Sequence, residues 1–229
     1  REGACVDTMS AVNPSVPRTK PPTDSTKSIE SLELPDRSKL AFQVRQVLSK
    51  PDAEYLIAVA KRLHATNASP KDLGTRRRLF HGEHKEATQL VESRVKKYLP
   101  KVFDGRRLVG LDTRIRLNAQ FPGGQIAPHF DNPSFHENGN RSFLTLLLYL
   151  NDEFKGGCTR FYDKDAYLLL RRAESGFDIT PETGKMVIFQ HDTYHTATTS
   201  SGGTKYICRC DIVYEKRRVA EKSSLARKK

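Results

Sequence analysis

From Ile115 onward the apolar residues recur at every second position, and glycine-rich turns interrupt them at short intervals. Ile115, Leu117, Ala119 and Phe121 alternate with polar neighbours, and Tyr206–Tyr214 alternates in the same way. Phe143–Leu150 and Met186–Phe189 are apolar on both faces. A period of two places successive side chains on opposite faces of a strand, and an unbroken apolar run marks a strand covered on both sides. Between these runs stand Pro122-Gly123-Gly124, Asn138-Gly139-Asn140, Gly156-Gly157, Gly184 and Gly202-Gly203, all turn-forming combinations. Many short strands joined by such turns constrain the chain to a β-sandwich or jelly roll.

Upstream the period is helical. Ser49 and Asp52 have the spacing of an N-terminal capping arrangement, Pro51 falls in the first turn, and Ala53, Leu56, Ile57, Ala60 and Leu63 follow at helical intervals. A second helix is predicted from His84 to Leu99, ended by Pro100. A strand-like Phe42–Val47 precedes the first helix, and Arg76-Arg77-Arg78 with His81-Gly82 reads as a basic loop between the two. Residues 1–37, rich in Pro, Ser, Thr and Lys, read as a flexible arm. The predicted organisation is therefore an arm over 1–37, a domain over 38–214 with its core at about 110–214, and a basic tail over 215–229. The fold class is α+β but mainly β: a jelly-roll core with N-terminal helices packed on one sheet.

The formal net charge of +12 suggests nucleic acid at first sight. Its distribution argues otherwise. Ile115–Tyr214 holds ten Lys/Arg against eleven Asp/Glu, the tail from Glu215 carries +5, and the remaining +8 lies in residues 1–114. The basic charge flanks the β-rich segment, where it keeps the protein soluble or steers an acidic partner. No apolar run is long enough for a membrane helix. The four cysteines are too few and scattered for a disulfide scaffold, and Cys208 and Cys210 share one face of a predicted strand. Reduced thiols point to a soluble protein in a reducing, intracellular compartment.

His129-Phe130-Asp131 carries the chemistry. In an extended strand residues two apart face the same way, so an imidazole and a carboxylate converge. A histidine from a distant strand, His191 or His195, would complete a two-histidine, one-carboxylate facial triad, which binds Fe(II) and leaves coordination positions open.

The surrounding motifs sharpen this. Tyr149-Leu150-Asn151, Gly156-Gly157-Cys158-Thr159-Arg160-Phe161, the run from Gly184 to Phe189, and His195 followed ten residues later by Lys205 resemble the prolyl 4-hydroxylase branch of the 2-oxoglutarate/Fe(II) oxygenases. The resemblance covers roughly residues 40–214. It implies a double-stranded β-helix (jelly roll) and a hydroxylase that releases succinate and CO2 from 2-oxoglutarate and O2, with ascorbate as a possible reductant. His129, Asp131 and His195 would hold the metal, and His191 would line the entrance or accept a structural hydrogen bond. Lys205 would take the distal carboxylate of 2-oxoglutarate. A buried anion is costly unless a cation and hydroxyls meet it, and Tyr149 and Thr145, on one face of their strand, are the candidate hydroxyls. Strand parity turns Arg209 toward the same site, paired with Asp211. Phe121 departs from the family, many members of which have a tyrosine there. The substrate implied is a prolyl residue in a peptide or protein. A nucleic-acid oxygenase of the AlkB type, or an inactive jelly-roll binding module, is the alternative.

Overall fold

The computed structural model describes residues 14–17, 28–66, 76–165, 167 and 176–217. Most of the arm, 1–13 and 18–27, and of the basic tail, 218–229, lies outside the described residues. The chain opens with β1 (Glu30–Ser31) and β2 (Ala41–Val44), then α1 (Lys50–Thr66), β3 (Arg77–Glu83) and α2 (Lys85–Val95). There follow β4 (Val102–Phe103), β5 (Arg106–Leu111), β6 (Arg114–Gln120), β7 (Ile126–His129) and β8 (Arg141–Tyr149). The last strands are β9 (Lys155–Gly156), β10 (Thr159–Phe161), β11 (Phe177–Ile179), β12 (Met186–Gln190), β13 (His195–Ala197), β14 (Ser200–Ser201) and β15 (Lys205–Tyr214).

Two antiparallel sheets face each other. The larger runs β1-β2-β12-β8-β15, after which β15 pairs with β6 along its first half and β5 along its second; β3 borders β6 and β4 borders β5. The smaller sheet is β11-β10-β13-β7. This is a jelly roll with helices on one side, as the sequence pattern requires.

The apolar runs explain the layering. On β8, Leu144, Leu146 and Leu148 enter a core shared with Leu56, Val59 and Ala60 of α1 and Leu90, Val91 and Val95 of α2. Leu147 and Tyr149, pointing the other way, join Phe161, Ile179, Phe189 and Ile207 between the sheets. Truncating a residue such as Leu146 to alanine would cost about 2–5 kcal/mol. Strand β15 divides likewise, with Cys208, Cys210 and Ile212 on the helix side and Ile207 between the sheets. Cys158, Cys208 and Cys210 are free thiols.

The helix starts follow local chemistry. The Ser49 amide donates to Asp52 at 3.0 Å and the Asp52 amide to Ser49 Oγ at 3.3 Å, a reciprocal capping box. His84 caps α2 by accepting from the Ala87 amide at 3.3 Å. Arg94 grips Asp52 through two hydrogen bonds of 2.9 and 3.0 Å, tying the two helices together.

Two expectations are corrected. Arg77, Arg78 and His81-Gly82 are not in a loop: β3 pairs with β6 along its whole length, from Arg77 opposite Gln120 to Glu83 opposite Arg114. The outer edge of β6 would otherwise expose a row of backbone donors and acceptors, and Phe80 anchors the strand against the helix-side core. Nor does the arm extend to residue 37. Glu30–Ser31 pairs with β2, and Leu32 and Leu34 are buried between the sheets, where apolar burial outweighs the Pro/Ser-rich surroundings. Among the described residues no helix is long and apolar enough to cross a membrane.

Candidate active site

Strands β7 and β13 are neighbours in the smaller sheet, and their register sets His195 directly opposite His129. Asp131 follows two residues later, its backbone amide donating to the His191 carbonyl at 2.9 Å. The ligand atoms of His129, Asp131 and His195 all lie within 4.8 Å of one another. His129 Nε2 is 3.6 Å from Asp131 Oδ1, and His195 Nε2 is 3.9 Å from Asp131 Oδ2.

The imidazoles are oriented from behind. His129 Nδ1 lies 2.8 Å from the Ala127 carbonyl, and His195 Nδ1 lies 2.9 Å from the Thr193 carbonyl. A carbonyl only accepts, so each Nδ1 carries the proton and each Nε2 presents a lone pair toward Asp131. Burial also disfavours the charged form of His195, whose pKa falls to about 4. Burial by itself would raise the pKa of Asp131, but the nearby Arg209 charge and the Thr145 hydroxyl hold the carboxyl well below its usual range. Two neutral imidazoles and one carboxylate are a donor set that fits Fe(II).

A second ring of contacts fixes the carboxylate. Thr145 Oγ1 donates to Asp131 Oδ2 at 2.5 Å and meets His191 Nδ1 at 3.0 Å, while His191 Nε2 lies 2.8 Å from Ser142 Oγ. Burial pulls the His191 pKa to about 4, so this imidazole is neutral at physiological pH. Arg209 Nη1 reaches Asp131 Oδ1 at 2.7 Å and its Nη2 reaches Asp211 Oδ1 at 3.2 Å; Arg116 reaches the other oxygen of Asp211 at 3.1 Å.

A cavity of about 240 Å³ lies between the sheets, with His129, Asp131, His195, Thr159, Lys205 and Arg209 in its wall. Lys205 is 1% exposed. Its Nζ donates to the Gly157 carbonyl at 2.6 Å and lies 5.5 Å from the centre of the Tyr149 ring. No carboxylate pairs with it among the described residues. Burial therefore lowers its pKa to about 8, against a small opposing effect of Cys158. The glycine pair before Cys158 permits this approach: Gly157 has φ +67°, and a Cβ there would stand 3.2 Å from Lys205 Cδ.

The predicted residues distribute unevenly. His129, Asp131, His195, Lys205, Thr145 and Arg209 all reach the cavity wall. Thr145, however, spends its hydroxyl on Asp131, so it belongs to the carboxylate end and not beside Lys205. Tyr149 is fully buried beneath the wall and donates to Thr159 Oγ1 at 2.7 Å. Thr159, within the quoted Gly-Gly-x-Thr-x-Phe motif, is thus a hydroxyl residue that lines the cavity where Tyr149 does not, and the motif was the signal for it. Of the two roles expected for His191 the structure shows the structural hydrogen bond and not the entrance: it is buried behind Asp131, between Thr145 and Ser142. Phe121 is absent from the wall, its ring lying 5.8 Å from the Arg78 guanidinium. Arg209 pairs with Asp211 as expected, and also with Asp131.

Residues 116–210 match the profile of the 2OG-Fe(II) oxygenase superfamily. No curated protein sequence matches the chain. Among solved structures, a viral collagen prolyl hydroxylase from Paramecium bursaria Chlorella virus-1, in complex with 2-oxoglutarate, superposes with a TM-score of 0.54 at 16% identity, over 77% of this chain and 96% of that one. A prolyl hydroxylase from Trichoplax adhaerens, bound to a hypoxia-inducible-factor peptide, gives 0.56 at 14% identity, over 75% and 82%. A Pseudomonas putida prolyl-4-hydroxylase gives 0.52 at 17%, over 78% and 93%. At these identities the likeness is one of fold, while the profile match covers the segment running from β6 into β15. Residues 116–210 thus match a 2OG-Fe(II) oxygenase domain, and the fold that carries them is the one seen in the prolyl hydroxylase structures.

Proposed function

We propose that the chain hydroxylates a prolyl residue in a peptide or protein, with His129, Asp131 and His195 holding Fe(II) and Lys205 holding 2-oxoglutarate, which leaves as succinate and CO2. The observation that carries this reading is Lys205: a buried cation without a carboxylate partner, in the wall of the cavity that also holds the histidines and Asp131. Burying a charge unpaired is unfavourable, so such a lysine is completed by an incoming anion. Fe(II), when bound with 2-oxoglutarate and O2, supplies the oxidising chemistry that replaces C–H by C–OH, and ascorbate would return stray ferric iron to the ferrous state.

The chain's own residues hold the geometry. The Ala127 and Thr193 carbonyls keep the two Nε2 lone pairs aimed inward. Thr145 and Arg209 hold the Asp131 carboxylate against rotation. Leu147, Phe189 and Ile207 give the cavity apolar walls that keep water out. The choice of a prolyl substrate draws on the solved neighbours of this fold, of which the Trichoplax enzyme holds a peptide.

The test is incubation of the Fe(II)-loaded protein with 2-oxoglutarate, O2 and proline-containing peptides, measuring succinate and a one-oxygen mass gain. Succinate release in the wild type and its loss in Asp131→Ala are expected. No succinate would remove the reading, and oxygen gain by peptides without proline would redirect the substrate.

A further inference from the structure

The cavity wall carries more positive charge than this reading uses. Arg77, Arg116, Lys205 and Arg209 all reach it. Arg209 is matched by Asp131 and Asp211, and Arg116 by Asp211. Lys205 is taken by the co-substrate. Arg77 is left over. It opens β3, an edge strand of the larger sheet, opposite Gln120 on β6, which itself stands opposite Lys205 on β15. The three therefore share one row, with Arg77 two strand spacings from Lys205, about 9–10 Å. The Arg77 side chain is half-buried, and its Nε is enclosed without a hydrogen-bond partner. No described residue forms an ion pair with it. An arginine held partly out of water, with a free donor and no counter-charge, is an incomplete anion site.

We propose that Arg77 seats a carboxylate of the substrate, namely an acidic side chain a few residues from the hydroxylated position. This rests on the reading of the chain as a peptide hydroxylase and narrows its substrate class. A planar carboxylate carrying one charge matches a single free guanidinium fork. A phosphate of nearly two charges would call for further free cations, and the neighbouring Arg116 is already tied to Asp211. Two separate cations at one level of the sheet also suit two separate anions, the co-substrate at Lys205 on the inner strand and the substrate at Arg77 on the edge.

The test uses the full chain loaded with Zn(II), a redox-inert substitute, and saturated with 2-oxoglutarate. The probes are twin proline peptides differing only in Glu or Gln, with that residue moved through the three positions on either side of the proline. The readouts are the dissociation constant and the ¹⁵N resonance of the Arg77 Nε–H. In at least one register the Glu peptide should bind about tenfold tighter than its twin, a difference of about 1.4 kcal/mol, and should move the Arg77 resonance saturably. Arg77→Gln should bring the ratio to about one, and Arg77→Lys should restore part of it. Twins that bind alike in every register, or peptides that do not bind at all, would overturn the proposal. So would an Arg77 resonance moved by 2-oxoglutarate alone, or one that answers a DNA or RNA oligonucleotide more strongly than the Glu peptide. Succinate release by the Fe(II) protein without any peptide tests the underlying activity separately, so the two failures are told apart.

Discussion

The two ends of the cavity are built on opposite plans. Around Asp131 the charged groups and ligands are answered: His129 and His195 by backbone carbonyls, the carboxylate by Thr145 and Arg209, and Thr145 by His191, with the Arg209 Nε left without a hydrogen-bond partner. Around Lys205 the wall offers one carbonyl and the face of an aromatic ring, and Arg77 at the edge of the same row offers less. A satisfied network holds geometry but gains little from a newcomer. An unsatisfied cation costs stability until a ligand arrives and then repays it as affinity. The first end is organised before the ligands bind, and the second is completed by them.

Breaking the organised end should have the largest effect. Replacing His129, Asp131 or His195 by alanine leaves two ligands, which do not define a facial site, and succinate release should fall about a thousandfold or more. Iron content and turnover should vanish together. A variant that keeps both would show that the three residues are not the ligands.

Lys205→Ala tests the open end. Truncating one partner of a buried charged pair costs about 2–5 kcal/mol, so half-saturating 2-oxoglutarate should rise about thirtyfold or more. Iron binding should stay near wild type, because Lys205 makes no contact with the metal-site residues. Equal loss of both affinities would erase the distinction between the ends.

The support behind Asp131 should matter less than Asp131 itself. His191→Ala removes the imidazole that holds Thr145, and iron affinity should weaken by about 10- to 100-fold, the usual cost of losing such a partner. Co-substrate affinity at saturating iron should change little. A fully dead His191→Ala would make this residue part of the metal site.

The smallest effect is one of pH. Burial lowers the Lys205 pKa to about 8, so the ammonium is present below that pH and lost as pH rises through it. Half-saturating 2-oxoglutarate should be flat below pH 8 and then climb about tenfold per unit, because only the charged form meets the carboxylate. Lys205→Arg should flatten the profile, since a guanidinium stays protonated. A flat profile in the wild type would mean that another cation holds the co-substrate.

Parity makes much of this legible in the sequence alone. Alternation along Lys205–Asp211 separates cavity residues from core cysteines, and the structure keeps that division. Parity gives the face, though, and not the height along the strand. Thr145 and Tyr149 share a face, but Thr145 sits level with Asp131, because Asp131 is hung from the His191 carbonyl by a contact that spans distant segments. Strand β3 was hidden for a different reason. Three consecutive arginines resemble solvent-exposed sequence, and only the free edge of β6 draws Arg77 and Arg78 into a strand. Leu32 and Leu34 were likewise masked by polar neighbours, since two apolar residues set no period of their own.

Strand β15 behaves like a message with a reading frame. Its odd-numbered positions from Lys205 to Asp211 write the chemistry of the cavity, and Cys208, Cys210 and Ile212 write the packing against the helices. One residue inserted after Tyr206 would shift everything downstream by one, sending thiols toward the cavity and an arginine and an aspartate into the aliphatic core. Substitutions that respect the frame edit one text and leave the other unchanged. Selectivity could therefore be rewritten at Ile207 while the core keeps its wording, whereas an insertion or deletion here would garble both at once.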